Sequence, residues 1–166
     1  KNIGCRDAIY VFNETIDYFI KNGSTMNICA VDLTKAFDKI NHSILFVKLI
    51  DKKIPCCFLK ILYNWYSKCI CVVKWGNIFS RLFSMNQGVR QGGVISPCLY
   101  ILYTDGILCN LNNSGYGCYF AGLMIGAIMY ADDVMLIAPS VECLQKLILL
   151  CQSQCRELFL EFNLNV

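Results

Sequence analysis

From Gly106 to Pro139 the chain carries two charged side chains, Asp132 and Asp133, and they are adjacent. On either side lie the apolar runs Leu123 to Tyr130 and Val134 to Ala138, which predict two strands joined through Ala131-Asp132-Asp133. Neighbouring carboxylates in an apolar hairpin repel each other and lose solvation, a cost that an Asn-Gly turn avoids. Either the turn is an exposed Asp-rich one or a partner compensates the charge. A divalent cation is the natural compensator, because hard oxygen ligands suit Mg²⁺ and its charge opposes the upward pKa pressure between like-charged neighbours.

A second isolated acid narrows the choice. Asp32 lies at the end of the apolar strand Ile28-Cys-Ala-Val-Asp-Leu33, where a side chain can meet one projected from a neighbouring hairpin turn. Three carboxylates from two strand-borne positions can hold two metal ions about 3.5–4 Å apart, the arrangement that clamps the attacking and leaving oxygens of an in-line phosphoryl displacement. The chemistry so indicated is nucleotidyl transfer.

The rest of the chain alternates helices with short strands. Ile9, Phe12, Ile16 and Phe19 recur at helical spacing before Asn22-Gly23, so the opening segment is expected to be an amphipathic helix with a glycine stop. Asn41 is placed to cap a helix through about Asp51, and Pro55 to start another with Phe58, Ile61, Leu62 and Trp65 on its face. Cys69 to Trp75 and Ile78 to Met85 flank Gly76-Asn77 as a two-residue hairpin. Ser96-Pro97 starts a helix that is apolar almost all round and is expected to be deeply buried. Ser140 caps a last helix that buries Val141, Leu144, Ile148, Cys151 and Leu158. Strands drawn from distant parts of the chain, with helices between, make this an α+β fold with one sheet covered on one face.

Composition removes several function classes. With 56 % apolar and 16 % charged residues, the chain is not a disordered or acidic-tail protein, and 166 residues suffice for one domain with a real core. The net charge of +3 does not by itself announce a nucleic-acid binder. Residues 1 to 60 hold nine basic and six acidic side chains and residues 61 to 166 six of each, so attraction to a polyanion is expected in the N-terminal third. Twelve cysteines without a C-x-x-C pair, and with His42 the only histidine, indicate reduced, packed thiols inside a cell rather than a zinc site or a disulfide scaffold. Residues 106 to 131 are uncharged, but Asn110-Leu-Asn-Asn-Ser-Gly-Tyr-Gly117 breaks any membrane-spanning helix. The first residue is Lys1 rather than Met, and the chain is expected to be a fragment.

Three runs together carry a family resemblance: Ala30-Val-Asp-Leu-Thr-Lys-Ala-Phe-Asp-Lys-Ile-Asn-His42, Asn86-Gln-Gly-Val-Arg-Gln-Gly-Gly-Val-Ile-Ser-Pro97 and Tyr130-Ala-Asp-Asp133. In order and spacing they resemble the palm of a reverse transcriptase, an RNA-directed DNA polymerase, most closely those of non-LTR (LINE-type) retrotransposons. The likeness covers nearly all 166 residues. It implies a polymerase palm with an antiparallel sheet backed by helices and part of the fingers. Residues 1–27 and 43–68 would be helical fingers or palm elements, and residues 28–42 and 69–166 the palm.

The resemblance also implies roles. Asp32 and Asp132 would be the principal ligands of two Mg²⁺ ions, or of Mn²⁺, with Asp133 the third acid and the Leu33 carbonyl a further ligand. Main-chain N–H groups near Lys35 and Ala36 would face the triphosphate of a deoxynucleotide. The Phe37 ring would collide with a 2′-hydroxyl and so select deoxynucleotides. Gln91 and Gly92 would lie against the incoming nucleotide and the template, with glycine at 92 and 93 permitting close approach. Arg90 would touch the template and Tyr130 the primer strand. Asp38 is expected in a surface network, His42 as a hydrogen-bonded helix-start residue, and Trp65 and Trp75 in packing.

Implied partners are an RNA template, a DNA primer and deoxynucleoside triphosphates, with the remaining fingers and the thumb elsewhere in the same polyprotein, with or without an endonuclease region. No membrane is implied, and the site of action is intracellular, nuclear or cytoplasmic. The isolated fragment is expected to be nearly inactive because little in it grips a duplex. Two other readings remain at this level: an RNA-dependent RNA polymerase, for which Asp38 would bind a ribose hydroxyl, and a decayed or domesticated remnant that keeps the fold without turnover.

Overall fold

In a computed structural model, residues 4–162 are described. In chain order they form α1 (Cys5–Lys21), β1 (Asn27–Asp32), α2 (His42–Asp51), α3 (Cys56–Ser67), β2 (Ile70–Cys71), β3 (Lys74–Trp75), β4 (Ile78–Phe79), β5 (Phe83–Ser84), α4 (Ser96–Asn112), β6 (Cys118–Phe120), β7 (Leu123–Ile125), β8 (Ala127–Tyr130), β9 (Asp133–Ala138) and α5 (Val141–Glu157). This is the α+β architecture expected, with helices and antiparallel strands drawn from distant parts of the chain. The chain divides into two compact units, residues 1–36 with 104–166, and residues 37–103.

The first unit is built on an antiparallel three-stranded sheet of order β1-β9-β8. Side chains of paired residues share a face, and the faces alternate along each strand. Val31, Val134, Leu136, Ala138 and Ala127 therefore point one way, and all are buried. Asp32, Asp133 and Tyr130 point the other way, and all are exposed. The same side also carries Ile137 and Ile128, which pack with Cys118, Ile125 and with Phe12 and Phe19 of α1. The second face is thus covered at the end far from the acids, not bare as the sequence suggests.

Helix α5 lies against β9 and β1. Ser140 caps it by accepting from the Cys143 N–H at 3.2 Å, and Leu147, Cys151 and Cys155 are its buried side. Val141, expected there, is exposed, because the buried row begins a turn and a half later. Ile9 of α1 is likewise exposed. The run Leu123 to Tyr130 is two strands, broken at Gly126. A Cβ on Gly126 would stand 2.8 Å from the Leu111 carbonyl oxygen, so helix end and strand approach at a distance that only glycine allows. Asn112, on the last turn of α4, accepts from both Gly126 N–H at 2.8 Å and Ala127 N–H at 2.9 Å.

The second unit has a core of Ile40, Leu45, Leu49, Leu62, Tyr66, Val89, Leu99, Tyr100 and Tyr103. Asn41 caps α2 as expected, accepting from the Ile44 N–H at 3.2 Å. In α3 the buried pair is Leu62 and Tyr66, one turn apart, whereas Phe58, Ile61 and Trp65 are exposed. Lys60, Asn64 and Ser67 recur at helical spacing as a polar row, and the buried pair lies opposite it, with the exposed apolar residues to one side. Helix α4 is buried along Leu99, Tyr103, Ile107 and Leu111, and Ile101 and Cys109 off that stripe are exposed, so it is less enclosed than its composition suggests. Its first hydroxyl, Ser96 Oγ, donates to the Arg90 carbonyl at 2.6 Å.

Gly76-Asn77 joins β3 to β4 in the expected hairpin, with Trp75 opposite Ile78. Lower down, Ile70 pairs with Ser84 and Cys71 with Phe83. Between the two ladders one residue, Val72, faces two, Arg81 and Leu82, the count of a β-bulge. Trp75, assigned to packing from sequence, is 83 % exposed.

Candidate nucleotidyl-transfer site

Asp32 closes β1 and Asp133 opens β9, and the antiparallel register makes them direct partners. Asp132 precedes Asp133 in the two-residue loop of the β8–β9 hairpin, whose other member, Ala131, has φ +52°. A positive φ at the first loop residue suits the twist of a two-residue hairpin. The Leu33 N–H donates to the Asp132 carbonyl at 3.3 Å, tying the turn to the end of β1. One hundred positions apart in sequence, the acids meet at one end of one sheet because the apolar residues behind them set the register. A one-residue slip would turn Val31 and Val134 outward.

Two acids directly opposite each other destabilise a strand pair unless a counter-charge intervenes. Asp32 and Asp133 are exposed and Asp132 is half-buried. The donors are all oxygens, the set a hard divalent cation takes. Among the described residues, however, no three His, Cys, Asp or Glu side chains form a group ready to hold a metal. The acids are aligned by the backbone rather than gathered as a finished ligand set. Beside them, a cavity of about 900 Å³ opens between α1 and the acid-bearing face, lined by Ala8, Phe12, Ala30, Asp32, Tyr130 and Asp133 among others. The part of α1 in this wall has no signature in the sequence beyond its helical period.

Past β1 the chain turns. Leu33 and Ala36 are buried, and Lys35 is exposed with φ +49°. Leu33 bridges Phe162, and the Thr34 N–H donates to the Glu161 carbonyl at 2.9 Å.

In the second unit, the segment after Ala36 is fastened to the segment around Gly88. The Val89 N–H donates to the Phe37 carbonyl and the Gly88 N–H to the Ile40 carbonyl, each at 2.8 Å. His42 Nε2 lies 2.7 Å from the Gly88 carbonyl, so His42 is the hydrogen-bonded helix-start residue expected. Gln91 Nε2 donates to Asp38 Oδ1 at 2.9 Å. Sequence reasoning missed this pairing, because neither side chain signals the other across 53 positions.

The Phe37 ring stacks on Tyr100 with centroids 4.6 Å apart and planes 19° from parallel, which fixes its orientation. Gly92 has φ +77° and open space where a Cβ would point, whereas a Cβ on Gly93 would stand 2.7 Å from Ser96 Oγ. Gly92 thus leaves room for a neighbour, and Gly93 serves internal packing. Arg90 is exposed, and its carbonyl accepts from Ser96 and from the Gly93 N–H.

Comparison with known proteins accords with these features. A profile of the family described as "Reverse transcriptase (RNA-dependent DNA polymerase)" matches residues 6–165. The chain is 25 % identical over 155 residues to the transposon TX1 uncharacterized 149 kDa protein of Xenopus laevis, covering 92 % of this chain and 12 % of that protein. It is 31 % identical over 119 residues to the retrovirus-related Pol polyprotein from type-1 retrotransposable element R2 of Nasonia vitripennis, covering 71 % of this chain and 11 % of the polyprotein. In fold it resembles apo telomerase from Candida tropicalis, with a TM-score of 0.68 at 16 % identity over 98 % of this chain and 34 % of that one.

Proposed function

The chain belongs to the reverse transcriptase (RNA-dependent DNA polymerase) family, and from that premise we propose that it is the palm, with part of the fingers, of an RNA-directed DNA polymerase encoded by a non-LTR retrotransposon. We assign residues 28–42 and 69–166 to the palm and residues 1–27 and 43–68 to helical fingers or palm elements. The observation that carries the reading is the register of Asp32 against Asp133 with Asp132 in the adjoining turn. No described helix is long and apolar enough to cross a membrane. All twelve cysteines are free thiols, which supports an intracellular site of action, nuclear or cytoplasmic.

Asp32, Asp132, Asp133 and the Leu33 carbonyl are the groups that would hold two Mg²⁺ ions, or Mn²⁺. Ions so held supply Lewis-acid activation of a primer 3′-hydroxyl and neutralise charge on the departing pyrophosphate. The chain's own residues supply position. N–H groups at Lys35 and Ala36 take the triphosphate of the deoxynucleotide, and Tyr130 contacts the DNA primer. The Phe37 ring, held by Tyr100, blocks a ribose 2′-hydroxyl. Gln91, oriented by Asp38, and Gly92 lie against the nucleotide and the RNA template, which Arg90 also contacts. With its carboxylate engaged by Gln91, Asp38 acts as a positioning residue rather than as the ribose ligand of an RNA polymerase.

In the full-length polyprotein bearing this sequence, Asp32→Asn or Asp132→Asn should lower deoxynucleotide incorporation by about 10²-fold or more, the scale of several kcal/mol of charge stabilisation. Phe37→Val should raise ribonucleotide use while retaining deoxynucleotide use. Unimpaired extension by both Asp variants contradicts the polymerase reading, and a Phe37→Val enzyme with unaltered sugar preference removes that residue's role.

A further inference from the structure

Between Asp51 and Asp105 the chain has no acidic residue and seven Lys and Arg: Lys52, Lys53, Lys60, Lys68, Lys74, Arg81 and Arg90. The compact unit that contains them, residues 37–103, holds nine basic side chains against two acidic ones. From this unit projects the bulged arm of residues 68–85. Its tip is apolar and exposed on both faces. Trp75 and Ile78 share one face, 83 % and 74 % exposed. On the other, Phe79 is paired with Lys74, whose ammonium sits 5.5 Å from the ring centroid.

A two-stranded ribbon with no buried face is marginal alone, and contiguous exposed apolar surface marks an interaction site. Aromatic rings interleaved with cations and free of acids match one ligand chemistry in particular. Bases stack on the rings, and phosphates pair with the cations. An apolar protein partner would need no such exclusion of carboxylates over 53 residues.

We infer that the arm of residues 68–85 binds single-stranded nucleic acid, with Trp75 as a stacking platform and Lys74 and Arg81 on flanking phosphates. This site contains none of the acids or nucleotide contacts assigned above, and it rests on the polymerase reading for the identity of its strand. An unpaired strand fits better than a duplex, because stacking needs an open base face.

The test is equilibrium binding of the whole chain to fluorescein-labelled oligo(U) and oligo(dT) of about 12 nucleotides, long enough for one site. Trp75→Ala should weaken binding by about 5- to 100-fold, and Trp75→Tyr should restore most of it. Lys74→Gln and Arg81→Gln should each reduce the slope of log affinity against log salt by about 0.7. Preference between the two oligonucleotides distinguishes RNA from DNA as the natural strand. Circular dichroism and sedimentation of each variant report fold and self-association.

Three results overturn the proposal: no oligonucleotide binding by the unaltered chain, a folded Trp75→Ala that binds as tightly, or a Trp75→Ala that loses only self-association. Because the readout is binding without turnover, the two readings fail separately. Trp75-dependent binding in a polyprotein that cannot extend a primer faults the polymerase assignment, and extension with Trp75-independent binding faults the arm.

Discussion

Asp133 meets Asp32 across paired strands, so each carboxylate raises the cost of the other. In EDTA, Asp133→Asn should therefore stabilise the chain, by about 0.5 kcal/mol in urea unfolding, although it removes a native residue. A loss of stability there would mean that another group already balances the pair. Gly88 is the opposite case. At φ +82°, with its missing Cβ 2.7 Å from the Asp38 carbonyl oxygen, it lets the segment around Gln91 close on the segment after Ala36. Gly88→Ala should cost about 2 kcal/mol or more, combining a left-handed backbone with a clash against main chain. Cys118 has its thiol pushed up to about 11 by burial, with Cys143 adding to the effect. The folded state holds that proton while the unfolded thiol releases it near 9.0. Stability from this residue is therefore complete below pH 9 and lost as pH rises toward 11, a slope that Cys118→Ala should flatten in pH-dependent melting. At this scale the sequence was legible where a residue broke its surroundings: two acids in an uncharged run of apolar segments need a reason. Asp38 with Gln91 broke nothing locally and could be recognised only once folding brought the two together.

Among the elements, helix ends and turns were easiest to read, because their chemistry is local. Asn41 and Ser140 cap the helices they precede, and Gly76-Asn77 turns the hairpin it sits in. Burial within α4 was not legible, since a helix apolar almost all round offers several equivalent rows and packing chooses one. The split of the strand at Gly126 was missed for a related reason: its cause lies in α4. Asn112 satisfies two part-buried N–H groups, those of Gly126 and Ala127, at the base of β8, the strand that leads into the acidic turn. Asn112→Ala should leave both donors unpaired and cost about 2–4 kcal/mol, whereas Asn112→Asp, which still accepts, should recover most of it. Equal stability of the Ala and Asp variants in thermal unfolding would show that the paired bonds contribute little.

Over the whole molecule, sequence windows hid the charge distribution. Counting along the chain placed the positive excess in the first 60 residues. The compact units place it in residues 37–103, where nine basic residues face two acidic ones, against six and ten in the remainder. The acidic unit is assembled from both chain ends, so no contiguous window isolates it. The chain spans only 12 % and 11 % of two relatives encoded by transposable elements. Alone it should give no templated extension above background, and robust extension by these 166 residues would show that duplex grip lies within them. Everything proposed about turnover depends on the aligned acids sharing a dication. Mn²⁺ uptake by the chain, followed as loss of the free-ion paramagnetic resonance signal and reversed by excess Mg²⁺, tests this most directly. The unaltered chain should take up the ion, and Asp32→Asn and Asp132→Asn should each abolish uptake in folded protein; uptake unaltered in both variants, or none by the unaltered chain, would mean that the acids share no dication.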